Sequence, residues 1–477
     1  MPAVRLHRSL CVVNNDRPSA LDVESHSIEF VPLTERYGSP TRLFTIWFSI
    51  NVSIVCAAVG TLGVTSGLSL PWAIAALALG NAIGTVFMAA HSAQGPHLGV
   101  PQMIQSRAQF GVLGAALPLI AVVVTYILYT AADGLVVEGT LSSLFSIQGT
   151  SSLILFGLGT LVVAYVGYEL IHRIAALLSV LSAALFVIAT IAYIVKGATI
   201  VHEAAAPGRG FDVKLFTATV TQAAAWTLSF GPYVADYSRY LSPDVRTSTT
   251  FWYTAGGCFL GATLTMAFGA YLASVDLNLT NDLGAAVVGV FTWGKLFVRS
   301  IIVMAVLVGN VMNLYSAYMS TATIFAGLTH MRSIPKLTKL ITMAIVMTVA
   351  TVIAIWAQGH FDQYFGDTLS VMIYLLVPWS AINLADYYIV RKGKYDIEDM
   401  YHFQSRYGVF RWCTIITYVA SILVEVPFMN LTGFRGAVAR AIDVDVAWLP
   451  GLVTAGLLYV IVERCRGACD ATLPSLP

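Results

Sequence analysis

Residues 226–236 read Trp-Thr-Leu-Ser-Phe-Gly-Pro-Tyr-Val-Ala-Asp, and the Gly-Pro pair in this apolar run is the most informative feature of the chain. The run belongs to an apolar segment, 215–235, that is long enough to cross a hydrocarbon layer about 30 Å thick. A proline in such a segment removes one helix hydrogen bond, and a neighbouring glycine permits irregular backbone. The pattern therefore predicts a membrane-spanning helix broken at Gly231 and Pro232.

The sequence on both sides of this run is that of a polytopic membrane protein. Of the 477 residues, 57% are hydrophobic and 11% are charged, whereas soluble proteins carry about 25% charged residues. This composition excludes a soluble globular protein. We number the twelve predicted membrane segments as spans 1 to 12: two between Leu43 and Ser106, separated by Pro71, followed by 115–137, 151–169, 174–196, 215–235, 250–274, 298–328, 338–357, 366–389, 410–431 and 446–462.

Charge and cysteine usage exclude further classes of protein. The net charge is +1, and the 26 Lys and Arg residues form no basic run, so we expect no binding to nucleic acid. The six cysteines are far apart or lie in apolar segments, except for a Cys-x3-Cys pair near the C-terminus. We expect free thiols, no metal site and no cofactor.

The distribution of Lys and Arg predicts the orientation of the chain. With an even number of spans both termini lie on one side of the membrane, and that side holds most of the basic residues. Loops rich in Lys and Arg stay in the cytoplasm. We therefore expect a multi-pass protein of the cell membrane with both termini in the cytoplasm.

Span 1 has unusual residues at a depth similar to that of the predicted break in span 6. It contains Asn51 and Ser53 in its first half and Gly60 and Gly63 in its second, which we interpret as polar groups and flexible backbone in the membrane. Interrupted helices five spans apart are typical of a five-plus-five inverted repeat, in which the two breaks mark a binding site at the membrane midplane. The alternative is that Gly-Pro only kinks a packing helix.

Several motifs resemble those of a known transporter family. The entry to span 1 reads Glu-Arg-Tyr-Gly at 35–38 and Trp-Phe-Ser-Ile-Asn at 47–51. The loop at 95–111 reads Gly-Pro-His-Leu-Gly-Val-Pro-Gln-Met-Ile-Gln-Ser-Arg-Ala-Gln-Phe-Gly. Spans 6 and 10 end in Ala-Asp-Tyr-Ser-Arg-Tyr at 235–240 and Ala-Asp-Tyr-Tyr at 385–388. Together these motifs resemble the purine-cytosine permease branch of the nucleobase:cation symporter 1 family.

The resemblance implies an all-α, LeuT-type fold of ten core helices plus two additional helices. It places a flat heterocycle between spans 1, 3, 6 and 8 and implies alternating access. The expected organisation is an N-terminal tail at 1–42, a core at 43–395 with repeats at about 43–196 and 215–389, two additional helices at 396–463 and a C-terminal tail at 464–477.

Aromatic pairs on two spans are candidates for stacking on such a ligand. Tyr126 and Tyr129 lie on one face of span 3, and Trp226 and Phe230 lie on one face of span 6, with Ser229 beside the break. A planar base stacks well between two aromatic faces. The alternative is that these side chains are ordinary packing or part of an interfacial belt.

Three asparagines are candidates for hydrogen bonding to the ligand. Asn310 and Asn313 lie in a long charge-free stretch of span 8, and Asn51 lies in span 1. An amide is costly in an apolar segment unless it is paired, and it can both donate and accept. The alternative is that each asparagine joins two helices.

The coupling ion is predicted from missing hydroxyls on span 8. Between Ser300 and Ser316 no side chain other than that of Tyr315 carries a hydroxyl, whereas sodium-coupled members of the family have Ser or Thr there. We therefore favour a proton over sodium. Intramembrane carboxylates are functional candidates, and those near spans are Asp133, Glu138, Asp236, Asp386 and Glu425. Of these, we take Asp236 and Glu425 as the candidates for gating or coupling, with structural roles as the alternative.

The expected function is import of cytosine or purines by cation symport. The alternatives are the same fold carrying allantoin, a hydantoin, a thiamine-like pyrimidine or a nucleoside, and a sensor or channel on the same scaffold. The histidines are scattered near loops and span ends, without the spacing of a metal or acid-base site. We therefore expect no enzymatic activity.

Overall fold

The computed structural model describes residues 28–36, 38–166, 168–200, 210–329, 335–403 and 405–472, without the side chains at 168–176, 197–200, 361–363 and 467–472. The predicted N-terminal tail up to residue 27 and the last five residues of the predicted C-terminal tail lie outside these ranges. The α-helices within them are α1 (Thr41–Asn51), α2 (Ile54–Thr65), α3 (Leu70–Ser92), α4 (Gly95–Leu98), α5 (Gln102–Phe110), α6 (Ala116–Phe145), α7 (Gly149–Val166), α8 (Tyr168–Ile200), α9 (Val213–Leu228), α10 (Gly231–Ser238), α11 (Thr247–Val275), α12 (Leu283–Gly289), α13 (Lys295–Thr329), α14 (Lys336–Trp356), α15 (Phe361–Ala385), α16 (Trp412–Glu425), α17 (Ala437–Ile442) and α18 (Trp448–Thr472). Strands β1 (Asn430–Leu431) and β2 (Phe434–Arg435) form an antiparallel hairpin between α16 and α17.

The chain is a multi-pass membrane protein. In its described part, nine helices are long and apolar enough to cross a membrane, and the bent pair α1 and α2 gives a tenth span. These ten coincide with predicted spans 1–5, 7–10 and 12. The shorter helices α9, α10 and α16 lie where spans 6 and 11 were predicted, and the total of twelve stays a prediction.

Helix contacts follow the reciprocal pattern of a five-plus-five repeat. In a five-plus-five repeat span 1 corresponds to span 6, and span 2 corresponds to span 7. Span 1 packs on span 7, with α1 and α2 against α11, and correspondingly span 6 packs on span 2, with α9 against α3. Likewise, span 5 contacts span 1, and its counterpart in the second half, span 10, contacts span 6. The symmetric pair α6 and α13, spans 3 and 8, packs together at the centre. Because each half has an odd number of spans, the halves are inverted in the membrane; their exact boundaries stay a prediction.

Both predicted breaks are present, but span 1 breaks for a reason that the sequence analysis missed. In span 6, α9 ends at Leu228 and α10 begins at Gly231 with proline in its first turn. In span 1, α1 and α2 meet at an angle of 59°, and the glycines at 60 and 63 lie inside the uninterrupted helix α2. The interpretation of these two glycines as flexible backbone was therefore wrong: they allow close packing, of Gly60 against Met266 and of Gly63 against Thr219.

The two additional helices are attached to the core by buried polar contacts. Asp386, fully buried just after α15, accepts a hydrogen bond from Tyr459 of α18 at 2.8 Å. Arg411, at the start of α16, donates to Glu463 of α18 at 2.5 Å. These contacts join α18 to the end of α15 and to the start of α16.

Candidate functional site

A cavity lies where the breaks of spans 1 and 6 face span 8. Side chains from spans 1, 3, 5, 6 and 8 surround it. Its lining consists of Thr45, Ile46, Ser49, Ile50, Val52, Ser53 and Val55; Asp133; Leu178 and Ser179; Trp226, Phe230 and Tyr233; and Ala305, Val306, Val308, Gly309, Met312 and Asn313. The family resemblance implied a ligand between spans 1, 3, 6 and 8. In the structure, span 5 also contributes side chains to the lining.

Two of the predicted stacking residues, Trp226 and Phe230, form an aromatic corner of the cavity. Their ring centroids lie 5.9 Å apart and their planes cross at 81°. A flat ligand can therefore stack on the face of one ring while it meets the edge of the other, an arrangement that aromatic quadrupoles favour. The corner cannot hold a ligand between two parallel faces.

Asn51 holds this corner in place from outside the cavity. Its side-chain oxygen accepts a hydrogen bond from the indole N–H of Trp226 at 2.8 Å, and its amide donates to the carbonyl of Trp47 at 2.7 Å. Asn51 is fully buried and does not line the cavity. In the structure this asparagine joins spans 1 and 6 and fixes the orientation of the indole.

The other predicted aromatic pair and Ser229 form a layer behind the corner. Tyr129 meets Trp226 edge-on at 5.5 Å. Tyr126 donates to the carbonyl of Ser229 at 3.3 Å, and Ser229 donates through its hydroxyl to the carbonyl of Trp226 at 2.6 Å. None of Tyr126, Tyr129 and Ser229 lines the cavity, so these residues support the corner from behind.

A carboxylate and an amide form the polar end of the cavity. Asn313 of α13 donates through Nδ2 to Oδ2 of Asp133 of α6 at 3.0 Å. Both side chains line the cavity. Together they provide donors and acceptors beside the aromatic corner, as ligand sites with a few placed polar groups do.

Asn310 points elsewhere, although it lies on the same helix as Asn313. It is fully buried, and its amide donates to the hydroxyl of Thr160 on α7 at 3.1 Å. This contact joins two helices, which is the alternative that the sequence left open. Of the two asparagines of span 8, the structure thus brings only Asn313 to the cavity.

The two carboxylates predicted for gating or coupling lie away from the cavity. Asp236 accepts a hydrogen bond at 2.7 Å from the backbone N–H of Gln102, at the start of α5. Glu425, at the end of α16, is fully buried against Gly451 of α18. Asp236 thus connects the second half of span 6 to the loop after span 2, and Glu425 lies at the contact between the two additional helices.

Among the lining residues that the predicted recognition site left out are Asp133 and Tyr233. Asp133 lies four residues after Tyr129 and therefore on the same helix face; we had considered it only as a proton carrier. Tyr233 follows Phe230 by three residues and continues the aromatic stripe across the break. Helical spacing was the signal that could have found both.

The arrangement suits a flat, polar heterocycle. An aromatic corner offers a stacking surface, and a carboxylate and an amide address one edge of the ring. Much of the remaining lining consists of Ile, Val, Leu and Met side chains, and surroundings of low polarity strengthen the polar contacts.

The chain matches the family model described as a permease for cytosine/purines, uracil, thiamine and allantoin over residues 30–449. It is 38% identical to YxlA of Bacillus subtilis (strain 168), a protein assigned as a purine-cytosine permease, over 94% of this chain and 97% of the relative. It is 25% identical to the purine-cytosine permease FCY2 of Saccharomyces cerevisiae (strain ATCC 204508 / S288c), over 80% of this chain and 74% of the relative.

Solved structures show the same fold. The nucleobase-cation-symport-1 family transporter Mhp1, in a closed conformation with bromovinylhydantoin bound, superposes with a TM-score of 0.76 at 15% identity over 95% of this chain and 97% of that one. Its inward-facing conformation gives a TM-score of 0.73 over 94% and 96%. The fold is thus that of a LeuT-type transporter, and the chain belongs to the nucleobase:cation symporter 1 family, whose members are permeases and not enzymes.

Proposed function

We propose that the protein imports a nucleobase, cytosine or a purine, by cation symport and alternating access. It would act in the cell membrane with both termini in the cytoplasm, the orientation that the distribution of Lys and Arg favours. The observation that carries the proposal is the cavity at the two helix breaks, where the corner of Trp226 and Phe230 meets the polar pair of Asp133 and Asn313. Membership of a family of nucleobase permeases supports it.

The same cavity favours a proton as the coupling ion. Span 8 contributes Ala305, Val306, Val308, Gly309, Met312 and Asn313 to the lining, and of these side chains only that of Asn313 has an oxygen. Transporters of this architecture coordinate sodium with oxygens near such breaks. A carboxylate, Asp133, lies in the same space, and an intramembrane carboxylate is a natural proton carrier.

Uptake into proteoliposomes tests the proposal. Labelled cytosine, adenine, hypoxanthine, uracil and allantoin are offered while proton and sodium gradients are imposed separately. We expect accumulation of cytosine or a purine under a proton gradient alone. Strict dependence on sodium would contradict the ion, and transport of allantoin alone would contradict the class of cargo.

The two asparagines of span 8 provide a matched pair of variants. Asn313→Ala removes a group that faces the cavity and leaves Asp133 without its hydrogen-bond donor, so we expect uptake to fall at least tenfold. Asn310→Ala removes only a contact to Thr160, which is worth about 1 kcal/mol, and we expect it to lower stability with little change in affinity. The reverse result would indicate that the ligand is recognised on the other face of α13, where Asn310 lies.

Truncating the aromatic corner tests the stacking surface. If a base stacks there, Trp226→Ala or Phe230→Ala should weaken binding by about 1–3 kcal/mol. The measurement is the affinity of purified protein for each base, with Tyr126→Phe as a control behind the corner that retains its ring. Unchanged affinity in both alanine variants would show that the two rings only pack against neighbouring side chains and do not bind the base.

A further inference from the structure

Asp133 is the acidic side chain of the cavity, and no described Lys, Arg or His lines the cavity with it. Its side chain is buried, with 5% exposure. Among the described residues, titratable groups that interact electrostatically with it include Tyr129 on its own helix, Tyr233 on α10 and Tyr364 on α15. All three are neutral at physiological pH, so no cation among these neighbours balances the charge of an ionised Asp133.

The protonation state of Asp133 decides what the polar end of the cavity offers a ligand. Asn313 donates to Oδ2, which leaves Oδ1 to address the ligand. Ionised, Oδ1 can only accept; protonated, it can donate. Because the amide group of Asn313 already donates to Asp133, its carbonyl oxygen remains as an acceptor. With a protonated Asp133, the pair therefore presents a donor beside an acceptor.

A donor beside an acceptor complements the edge of a nucleobase. Cytosine and adenine both carry an amino group next to a bare ring nitrogen. The ring nitrogen can accept from the protonated carboxyl, and the amino group can donate to Asn313. Uracil and hypoxanthine carry a ring N–H next to an oxo group, and this edge meets the same pair when it is turned over: the oxo group accepts from the protonated carboxyl and the N–H donates to Asn313. With an ionised Asp133 the pair presents two acceptors and complements neither edge.

We infer that Asp133 carries the coupling proton and that, protonated, it forms with Asn313 the donor–acceptor pair that recognises the edge of a nucleobase. The inference rests on the proposed function and names its proton site. One proton from the external solution bonds to Oδ1 before or with the base. After the base leaves on the cytoplasmic side, this O–H bond breaks and the proton passes to water, so one proton accompanies each base.

The test compares Asp133→Asn with Glu138→Gln in proteoliposomes. Asn at 133 keeps a permanent N–H donor but cannot titrate. We expect it to show no accumulation of cytosine under a proton gradient, while exchange of labelled for unlabelled cytosine across the membrane stays measurable. Glu138, on the same helix but outside the cavity lining, accepts a hydrogen bond from Gln358. Its isosteric variant should accumulate cytosine as the wild type does.

The pH dependence of binding gives a second readout. In the wild type, cytosine affinity should fall about tenfold per pH unit once Asp133 ionises in the free protein, because binding then takes up one proton. Asp133→Asn should bind cytosine with no pH dependence over the same range. If the variant does not fold, wild-type proton uptake on cytosine binding, measured in weak buffer, decides the matter, and no uptake overturns the inference.

The outcomes separate the inference from the function on which it rests. If the wild type transports no nucleobase under any gradient, the proposed function fails. If the wild type accumulates cytosine and Asp133→Asn does so too, only the inference fails. Loss of accumulation in Glu138→Gln but not in Asp133→Asn also overturns the inference.

Discussion

The two interrupted helices occupy equivalent places in the repeat, yet different chemistry interrupts them. In span 6, Gly231 and Pro232 start the second half, and no side chain caps it. In span 1 there is neither glycine nor proline at the break; Ser53 caps α2 by accepting a hydrogen bond from the N–H of Cys56 at 3.2 Å. A serine cap satisfies a free N–H that would otherwise face an apolar medium, so a membrane helix can restart without Gly-Pro.

Glycine has different structural roles in the two spans. In span 1, a Cβ added to Gly60 would lie 1.9 Å from the backbone oxygen of Met266 on α11. In span 6, a Cβ on Gly231 would meet its nearest neighbours, in His91 and Trp379, at 3.5 and 3.6 Å, which are ordinary contact distances. The glycine at the break is therefore the replaceable one, and the glycine inside the uninterrupted helix permits close approach of two backbones.

The strongest test of this difference is the pair Gly60→Ala and Gly231→Ala. Alanine favours a helix interior by about 1 kcal/mol over glycine, but at position 60 the clash is with backbone, and overpacking of this kind costs about 3 kcal/mol or more. We expect Gly60→Ala to lose most folded protein and Gly231→Ala to change stability by less than about 1 kcal/mol. Thermal unfolding followed by gel filtration in detergent measures both.

Gly269→Ala serves as a control from the partner helix. A Cβ there would lie 1.9 Å from the backbone oxygen of Ala57 on α2, so this variant should behave like Gly60→Ala. If Gly231→Ala were the more damaging variant, the break of span 6 would depend on glycine after all, and the contrast between the spans would disappear.

Much of the fold could be predicted from the sequence because lipid imposes simple rules. Long apolar segments and the Gly-Pro pair located the spans and one break, and the family motifs supplied the repeat. The break in span 1 was harder to locate, because Ser53 looks like any polar residue until the N–H that it caps is known. Glycine spacing alone cannot distinguish flexible backbone from close packing.

The site was predicted less completely, because a sequence does not show which way each polar residue on a helix points. Asn310 and Asn313 are one turn apart, yet one faces Thr160 and the other faces Asp133. Asn51 has the residue type expected of a ligand contact, but both ends of its amide are used by the protein. Only the positions of the neighbouring helices resolve such choices.

The next largest effect is expected where span 1 orients span 6. Asn51→Ala leaves the indole N–H of Trp226 without its partner, which costs about 2 kcal/mol. Because the indole lines the cavity, the affinity for a base should fall as well. A double-mutant cycle with Trp226→Phe isolates this contact: Asn51→Ala should cost less in the Phe background, where no indole N–H remains. Equal costs in both backgrounds would show that Asn51 acts without Trp226.

The smallest expected effect is the difference in stability between alanine variants of the two serines at the breaks. Ser53→Ala removes the cap of α2, and loss of such a cap costs about 1 kcal/mol. Ser229→Ala removes a hydroxyl that donates to the carbonyl of Trp226 one turn earlier. Such a local side-chain bond competes with the backbone hydrogen bonds of the helix and adds little stability. The loss of stability should therefore be below about 0.5 kcal/mol. Midpoints of thermal unfolding should therefore fall further for Ser53→Ala, and Ser53→Thr should restore most of the loss because threonine also caps. If Ser229→Ala were the costlier change, side-chain capping would belong to span 6, and the two breaks would have to be explained the other way round.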